Sequence, residues 1–432
     1  MSKQSFTQEN LTRALKSRKY KSISVSKKRA TEDLATTSEK LITGTYNLDR
    51  FHSYALAKKT VYCTNSQEDE AVLSKLDENI RKIYRVKQKD RHTAVKQLKL
   101  LLSEDIPKFI YKLDIEDFYS NINLENIKRK FEDDGILSSE SLNVFNLFKN
   151  ALAMDNINGV PRGIGLSASL AELAARPFDK AIQDLEGVYY YTRYVDDILI
   201  MSTKRLDIQQ EIVPLLPFPL TLNLKKTRVS RVIKCFCAVK GCKCNKKPCR
   251  CWDKCKCRPC GCFNKCLAPD SCKVKKLSFD FLGYSFTFSE LSKDTKNSLS
   301  VDIAESKYKK IKNRLYLSFK EYHKKGNFKK LEDRISFLTS NYYVDARKSK
   351  VNRIKSGVYY SYIHIDEPDK YKLLDILLKK LIYRNYSRKI ILTDLQKSKL
   401  NSLSFIKGFE NKYTFKFKAS QINKIKSGWN NG

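Results

Sequence analysis

Apolar side chains recur at intervals of three and four along several stretches of the chain, the spacing that predicts helices with one buried face. Before residue 190 this pattern predicts helices at 71–83, 93–102, 124–131, 142–153 and 167–184. The segment 159–165 carries three glycines and one proline, so it predicts a loop that leads into the last of these helices.

Continuous or alternating apolar runs predict strands where the helical spacing stops. One run covers 109–115, and another at 277–288 begins Leu-Ser-Phe-Asp-Phe-Leu-Gly-Tyr-Ser-Phe. The segment 188–201 is apolar on both sides of Val195-Asp196, so we expect two strands joined by a tight turn. From residue 306 onward the pattern is mainly helical and basic, with tyrosine clusters at 342–343 and 359–362.

Composition changes this picture chiefly through charge. The 432 residues include 84 Lys and Arg against 47 Asp and Glu, a formal net charge of +37, and 41% of the residues are hydrophobic. A basic surface on a chain with enough apolar residues for a core favours a polyanionic partner, usually nucleic acid, over a merely soluble basic protein. There is no run of about eighteen apolar residues and no apolar signal core, so we expect a cytoplasmic protein without membrane contact.

Carboxylates stand at the ends of the predicted apolar strands. Asp114 closes one strand, and Asp196 and Asp197 occupy the turn of the predicted hairpin. An Asp-Asp pair by itself is ordinary turn chemistry. Acids on neighbouring strand ends, however, suit two magnesium ions that bridge the attacking and leaving oxygens of a phosphoryl transfer.

The turn sequence Tyr194-Val195-Asp196-Asp197 resembles the signature turn of reverse transcriptases, and four further motifs follow the order of that family. They are 113–119 (Leu-Asp-Ile-Glu-Asp-Phe-Tyr), 160–173 (Val-Pro-Arg-Gly-Ile-Gly-Leu-Ser-Ala-Ser-Leu-Ala-Glu-Leu), 222–227 (Leu-Asn-Leu-Lys-Lys-Thr) and 281–284 (Phe-Leu-Gly-Tyr). The resemblance covers roughly half of the chain, and it implies a polymerase that makes DNA from deoxynucleotides.

The resemblance assigns roles residue by residue. Asp114, Asp196 and Asp197, with the carbonyl of Ile115, would bind two magnesium ions. Lys226 would protonate the leaving pyrophosphate, unless it is simply an exposed basic residue. Tyr119 would be the aromatic gate that excludes a ribose 2′-hydroxyl; the alternative is a core tyrosine.

The remaining assignments concern the nucleotide and the primer. The residues expected near the incoming nucleotide are Lys87, Lys89, Arg91, Ile115, Asp117, Phe118, Tyr119, Arg162 and Gly163. The lysines and the arginine of 87–91 also fit a solvated charge run. A primer-grip-like turn is expected at Phe281, Leu282, Gly283 and Tyr284, where glycine permits close approach of the primer.

One position departs from the commonest pattern. Arg162 stands where retroviral and many intron enzymes have Gln, and Pro-Arg-Gly-Ile followed by Ser-Ala-Ser-Leu-Ala-Glu resembles the abortive-infection and unknown-group bacterial enzymes of antiphage defence. Some of those relatives are thought to polymerise without an ordinary template. The resemblance implies an RNA partner, either a template or a noncoding RNA, together with dNTPs and a DNA product. It also implies a protein partner, either another reverse transcriptase or a second copy of the chain.

Cysteines are concentrated in one block. Thirteen are present, and all but Cys63 belong to that block. They are Cys235, Cys237, Cys242, Cys244, Cys249, Cys251, Cys255, Cys257, Cys260, Cys262, Cys266 and Cys272. Thiolates at Cys-x-Cys and Cys-x2-Cys spacing suit tetrahedral zinc, as about three separate sites or about four ions in a bridged cluster. An iron–sulfur cluster is the alternative.

These patterns together predict an α+β right-hand polymerase with a zinc-binding insertion and a helical C-terminal extension. The expected parts are N-terminal helices and fingers (1–110), palm (111–230), Cys-rich insertion (231–276), end of palm (277–290) and helical thumb with extension (291–432). Alternatives to RNA-directed DNA synthesis are template-independent or protein-primed DNA synthesis, RNA synthesis, and an inactive nucleic-acid-binding scaffold.

Overall fold

The structure is a computed structural model of the chain. It describes residues 4–17, 27–56, 59–104, 106, 108–232, 277–288, 299–343, 354–384 and 390–429. The described residues form two units: Met1–Lys89 with Lys108–Val232, and Asp90–Pro107 with Ile233–Gly432.

The first unit surrounds one antiparallel sheet with helices. Its helices are α1 (Gln8–Ser17), α2 (Lys27–Thr43), α3 (Gln67–Ile83), α5 (Leu124–Asp134), α6 (Ser139–Met154) and α7 (Gly165–Gln183). Its strands are β1 (His52–Leu56), β2 (Lys59–Cys63), β3 (Lys108–Asp114), β4 (Val188–Tyr194), β5 (Asp197–Ser202) and β6 (Arg228–Val232). The last four form a sheet in the order β4-β5-β3-β6, and β1 and β2 form a separate hairpin.

Helix α7 packs on strand β4 of the sheet, and helix α3 packs on α7. Side chains such as Leu76, Leu170 and Phe178 are almost fully buried, as are Tyr111 and Ile200 of the sheet. Helix starts follow the sequence: the side chains of Ser66 and Ser138 accept hydrogen bonds from the backbone of the first turns of α3 and α6. This packing fixes the ends of β3, β4 and β5 relative to one another.

The second unit combines helices with small sheets. Its helices are α4 (Arg91–Ser103), α8 (Glu305–Lys325), α9 (Phe328–Thr339), α10 (Asp369–Tyr383), α11 (Asp394–Asn401), α12 (Phe405–Glu410) and α13 (Ala419–Lys426). Its strands are β7 (Leu277–Phe281), β8 (Tyr284–Phe288), β9 (Leu299–Ile303), β10 (Asn341–Tyr343), β11 (Lys355–Gly357) and β12 (Thr414–Phe415). They form the sheets β7-β8-β9 and β11-β10-β12.

The structure agrees with several secondary-structure predictions made from the sequence. The observed helices α3 to α7 coincide with the predicted ones to within a few residues, and 188–201 is a hairpin. The chain is a mixed helix-and-sheet protein, and 299–429 is mainly helical but also carries the short strands β9 to β12. The five-part domain division stays a prediction. No helix in the described ranges has the length and apolar character needed to cross a bilayer.

Candidate active site

The sheet register of the first unit places two of the predicted carboxylates side by side. Strands β3 and β5 pair antiparallel, and Asp114 lies opposite Asp197 at the end of the ladder. A second backbone contact holds the end of β3. The Asp114 carbonyl accepts a hydrogen bond of 2.8 Å from the Asn223 amide. The strand end is therefore held from both sides, and Asp114 itself is buried.

The third carboxylate belongs to the turn between β4 and β5. Tyr194 pairs with Asp197, so Val195 and Asp196 form a two-residue turn. Val195 adopts a φ of 60°, which is uncommon for a β-branched residue and marks local strain. The Asp196 carbonyl accepts a hydrogen bond of 3.1 Å from the Ile115 amide, so the turn is tied to the end of β3.

Negative charge accumulates at this strand end. Burial raises the pKa of the Asp197 carboxyl above its ordinary value; Lys112 opposes the shift, and the neighbouring Asp196 and Asp114 add to it. The Lys226 ammonium lies 2.9 Å from Asp114 Oδ2, and this hydrogen bond raises the pKa of Lys226. The lysine side chain is 61% exposed and Asp114 only 10%, so Lys226 reaches in from solvent.

The carboxylates suit magnesium in their chemistry, because it prefers hard oxygen ligands. The described ranges contain no group of three His, Cys, Asp or Glu side chains arranged to hold a metal ion as they stand. Burial, with a smaller contribution from the neighbouring Asp196 and Asp114, raises the pKa of Asp197, and a bound cation would favour its charged form. Reverse transcriptase domains in general use divalent metals such as magnesium.

Tyr119 lies between the carboxylates and the glycine-rich loop. Burial raises the pKa of its hydroxyl, with Glu172 and Asp196 adding to the shift and Arg162 opposing it. The Tyr119 carbonyl accepts a hydrogen bond of 2.9 Å from the Val160 amide. A Cβ at Gly159 would stand 2.3 Å from that carbonyl oxygen, so only glycine permits this approach. Phe118 is buried beside it, and Asp117 takes a φ of 40°.

The hairpin β1–β2 packs against the predicted nucleotide-binding loop, a contact that the sequence did not reveal. The Tyr62 amide donates a 2.7 Å hydrogen bond to the Arg162 carbonyl, and a Cβ on Gly163 would lie 2.3 Å from the Tyr62 carbonyl oxygen. The Arg162 guanidinium lies 5.5 Å from the centre of the Tyr119 ring. The exposed Lys59 of β2 is thus carried on an element fixed to the site.

The structure separates the three cations predicted to hold the triphosphate. Lys87 and Lys89 belong to the first unit and Arg91 to the second. Lys89 Nζ donates to the Tyr191 carbonyl at 3.1 Å, and burial lowers its pKa while Asp179 opposes that shift. Lys87 is exposed. Lys89 is also exposed as a residue, but its ammonium group contacts the Tyr191 carbonyl, whereas no hydrogen bond or ion pair of Lys87 is seen among the described residues.

A buried arginine, Arg193, holds the Val195–Asp196 turn, and no motif in the sequence pointed to it. The Arg193 side chain is 2% exposed. Its Nε and Nη2 donate to both oxygens of Asp179 at 2.7 and 2.8 Å, and Nη1 and Nη2 donate to Glu172 at 3.2 and 2.9 Å. Nη1 also donates to the Val195 carbonyl at 3.2 Å. All five N–H groups of the guanidinium are thereby used.

Burial works against the charged form of Arg193, but its hydrogen bonds to Asp179 and the nearby Glu172 outweigh burial and raise its pKa. Its guanidinium lies 5.8 Å from the Phe118 ring. The sequence does contain a signal for this network. Glu172 and Asp179 are seven residues apart, two turns along one face of α7, and Arg193 points inward from the strand that follows.

The primer-grip-like turn lies in the second unit, between β7 and β8. Phe281 pairs with Tyr284, so Leu282 and Gly283 form the turn, with φ values of 48° and 82°. Arg91 holds this turn through two hydrogen bonds. Its Nε donates to the Leu282 carbonyl at 2.9 Å, and its Nη1 donates to the Ser361 carbonyl at 2.7 Å.

Two aromatic rings flank this arginine. The Arg91 guanidinium stands 5.0 Å from the Tyr284 ring centre and 5.3 Å from that of Tyr362. Burial raises the pKa of Tyr284 to about 12. The contacts of Arg91 among the described residues are therefore with protein backbone and aromatic rings, as expected of a residue that shapes the turn.

The twelve cysteines predicted to bind zinc, Cys235 to Cys272, lie outside the described residues. Cys63, the remaining cysteine, belongs to β2 and is a free thiol.

Comparison with known proteins agrees with the geometry. The family model described as reverse transcriptase (RNA-dependent DNA polymerase) matches residues 55–286, more than half of the chain, from the β1–β2 hairpin to strand β8. No protein of curated function matches the chain.

Two similar solved structures are a partial Cas6-RT-Cas1–Cas2 complex and a Cas6-RT-Cas1–Cas2 complex. Each is 16% identical with a TM-score of 0.26 over 47% of this chain. This chain spans 38% and 24% of the matched chains, respectively.

We predict that Arg193→Met loosens the Val195–Asp196 turn, because the half-buried Glu172 and Asp179 lose the guanidinium that neutralises them, although the Tyr191 hydroxyl still donates to Asp179. Breaking a buried pair of this kind costs about 3–5 kcal/mol. Hydrogen–deuterium exchange of the 188–202 peptide should show a loss of that order in its opening free energy. Arg129→Met, at an exposed position of α5, is the matched control and should leave exchange unchanged.

The loss of stability in Arg193→Met should depend on pH, and the direction of this dependence can be predicted. Without Arg193 the two acids repel each other with less compensation, and protonation removes that repulsion. Stability is then greatest at low pH and falls as the pH rises, so the deficit should shrink from about pH 8 to about pH 5. A deficit that is constant across this range would contradict the charge explanation.

Proposed function

The chain belongs to the reverse transcriptase (RNA-dependent DNA polymerase) family of nucleotidyltransferases, and from that premise we propose that it makes DNA from dNTPs by two-metal phosphoryl transfer. The observation that carries this proposal is the pairing of Asp114 with Asp197 at a strand end, with Asp196 in the adjoining turn. Three acids at one buried strand end have no structural need to be there, since their repulsion is unfavourable.

Asp114, Asp196 and Asp197 are the residues that would hold magnesium, with the Ile115 carbonyl beside them. Bound magnesium would lower the pKa of the primer 3′-hydroxyl and neutralise the triphosphate. The protein's own part is to hold the acids in register, through the β3–β5 ladder and the turn fixed by Arg193. Lys226 is exposed, and its ammonium group lies 2.9 Å from Asp114 Oδ2. It would leave Asp114 for the departing pyrophosphate and donate a proton to that group.

The incoming nucleotide would lie against Tyr119 and the backbone of Asp117 and Phe118. The Tyr119 ring, with the Arg162 guanidinium 5.5 Å from its centre, would leave no room for a 2′-hydroxyl. Lys59 of the β1–β2 hairpin joins Lys87 as a candidate for the triphosphate, because it is exposed on an element bonded to the Arg162 backbone. Lys89 and Arg91 would act instead by positioning Tyr191 and the Leu282–Gly283 turn.

We further propose a role in bacterial antiphage defence, with a noncoding RNA, a partner enzyme or a second copy of the chain. The sequence Pro161-Arg162-Gly163-Ile164 supports this, because it resembles the defence group. Arg162 also supports the second candidate function, template-independent or protein-primed DNA synthesis. The proposal is supported by the Arg162 guanidinium, which lies 5.5 Å from the ring of Tyr119, the residue expected beside the nucleotide.

The central prediction concerns DNA synthesis. Purified protein supplied with magnesium and each dNTP or rNTP, with and without bound RNA, should produce labelled DNA. Asp196→Asn should abolish it, because the turn loses one of the charges that bind the cations, whereas Asp133→Asn at an exposed site on α5 should not. Equal output from native protein and Asp196→Asn, including none from either, would reject the proposal. Sequencing the products after RNase pretreatment separates templated from untemplated synthesis.

A second prediction concerns sugar selectivity. Tyr119→Ala should lower the ratio of kcat/KM for dNTPs to that for rNTPs by about tenfold or more, equivalent to about 1.4 kcal/mol. Tyr119→Phe keeps the ring and should keep the selectivity. If alanine slows both nucleotides equally, Tyr119 is a core residue and not a gate.

A third prediction concerns the cysteine block. Metal analysis of the purified chain should find about three zinc ions at four thiolates each, or about four if thiolates bridge. Replacing Cys249 and Cys251 by serine should lower the zinc content, whereas Cys63→Ser should not. A chain that carries neither zinc nor iron would overturn the assignment.

A further inference from the structure

An aromatic and basic surface lies on the second unit, beyond the residues matched by the family model. It consists of Tyr343, Tyr359 and Tyr360 with the ammonium groups of Lys355 and Lys412, and we call it the Tyr-Lys platform. Lys355 Nζ lies 4.7 Å from the Tyr360 ring centre and 5.9 Å from the Tyr343 ring centre. Lys412 Nζ lies 4.8 Å from the Tyr359 ring centre.

The platform is built on one buried side chain. Asn341 is fully buried, and its Oδ1 accepts hydrogen bonds from the Tyr359 and Tyr360 amides at 2.9 and 3.4 Å. Its Nδ2 donates to the Gly408 and Tyr413 carbonyls, both at 3.0 Å. Asn341 therefore fastens the segment of the two tyrosines to the loop that carries Lys412.

Close packing beneath the platform makes this framework rigid. A Cβ at Gly357 would lie 2.4 Å from the Ser340 carbonyl oxygen, and one at Gly408 would lie 1.8 Å from the Thr339 carbonyl oxygen. The Tyr359 ring packs edge-on against Tyr360 at 5.2 Å and lies 5.5 Å from Phe409. The rings are thus held in place before any ligand arrives, which reduces the entropy lost on binding.

No carboxylate in the described part of the chain neutralises the charges of the platform. Lys355 and Lys412 are both exposed, and neither forms an ion pair with a carboxylate in the described part of the chain. Lys355 donates a 3.0 Å hydrogen bond to the Tyr360 hydroxyl. A lysine side chain is long and flexible enough to turn from a ring to a phosphate, which leaves the ring face to a base.

From this arrangement we propose that the Tyr-Lys platform binds single-stranded nucleic acid. Bases would stack on the rings of Tyr343, Tyr359 and Tyr360, and phosphates would contact Lys355 and Lys412. Stacking needs unpaired bases whose faces are accessible, so a single strand fits and a duplex does not. The platform consists of residues of the second unit, and the proposed binding does not depend on catalysis.

The test uses the full chain and fluorescein-labelled oligo-dT and oligo-U of about fifteen nucleotides, the span of one such site. The double variant Tyr359→Ala/Tyr360→Ala should bind the strand about tenfold more weakly or worse, as expected when stacked rings are removed. Tyr359→Phe/Tyr360→Phe keeps both rings and should bind like the native chain. Lys355→Ala/Lys412→Ala should lower the salt dependence of binding by about two phosphate contacts.

Matched controls lie elsewhere on the same unit. Tyr316→Ala on α8 and Lys379→Ala on α10 remove an exposed ring and an exposed charge and should leave affinity unchanged. Asp196→Asn should bind normally, which separates this proposal from the proposed polymerase function. Native affinity in the double alanine variant, equal loss in the controls, or equally tight binding of a duplex would each overturn the platform. Equal competition by polyglutamate would also overturn it, because it would indicate a general anion site.

A second measurement covers the case in which the alanine variant does not fold. Bromodeoxyuridine or bromouridine oligonucleotides are crosslinked to the native chain by ultraviolet light, and the crosslinked peptides are identified by mass spectrometry. Crosslinks within 341–343, 354–363 or 407–416 support the platform, and crosslinks confined to other peptides reject it. The relative affinity of oligo-dT and oligo-U shows whether DNA or RNA is the preferred strand.

Discussion

The catalytic turn depends on one buried cation. A guanidinium without partners would be too costly to bury, but Arg193 meets two carboxylates and a carbonyl with all its donors. Because Glu172 and Asp179 sit on α7 and Val195 sits in the turn, the network joins the helix behind the site to the strained backbone beside Asp196. The position of the acids is therefore set by hydrogen-bond geometry as well as by apolar packing.

The three acids, unlike Arg193, lie close to groups of the same charge. Asp114 and Asp197 face each other across a ladder, and their repulsion contributes to the raised pKa of Asp197. The protein tolerates this arrangement with help from Lys226, which reaches Asp114 from solvent. A strand end that gathers three acids in a chain of net charge +37 suits the cations of the proposed reaction. This contrast is the physical basis for the polymerase proposal.

The second unit also contains a buried polar side chain that joins separate segments, but this side chain is uncharged. Asn341 satisfies backbone groups of two other segments with its buried amide, as Arg193 satisfies carboxylates and a carbonyl. Arg91 does likewise for the turn at Leu282. Buried polar groups with every partner present define one arrangement of the segments they join, because an unmet hydrogen bond is costly there. Both the catalytic turn and the Tyr-Lys platform rest on such groups.

The sequence by itself determined the elements and the identity of the acids. Helices such as 167–184 and the hairpin around Val195 follow from local spacing, and five motifs in order identified the family before any contact was known. It did not reveal the β1–β2 hairpin, whose first strand is exposed along its length and so carries no apolar alternation. Nor could it separate Arg91 from Lys87, or find the partners of Arg193 and Asn341. Those depend on contacts between residues far apart in the chain, which only tertiary packing brings within hydrogen-bond distance.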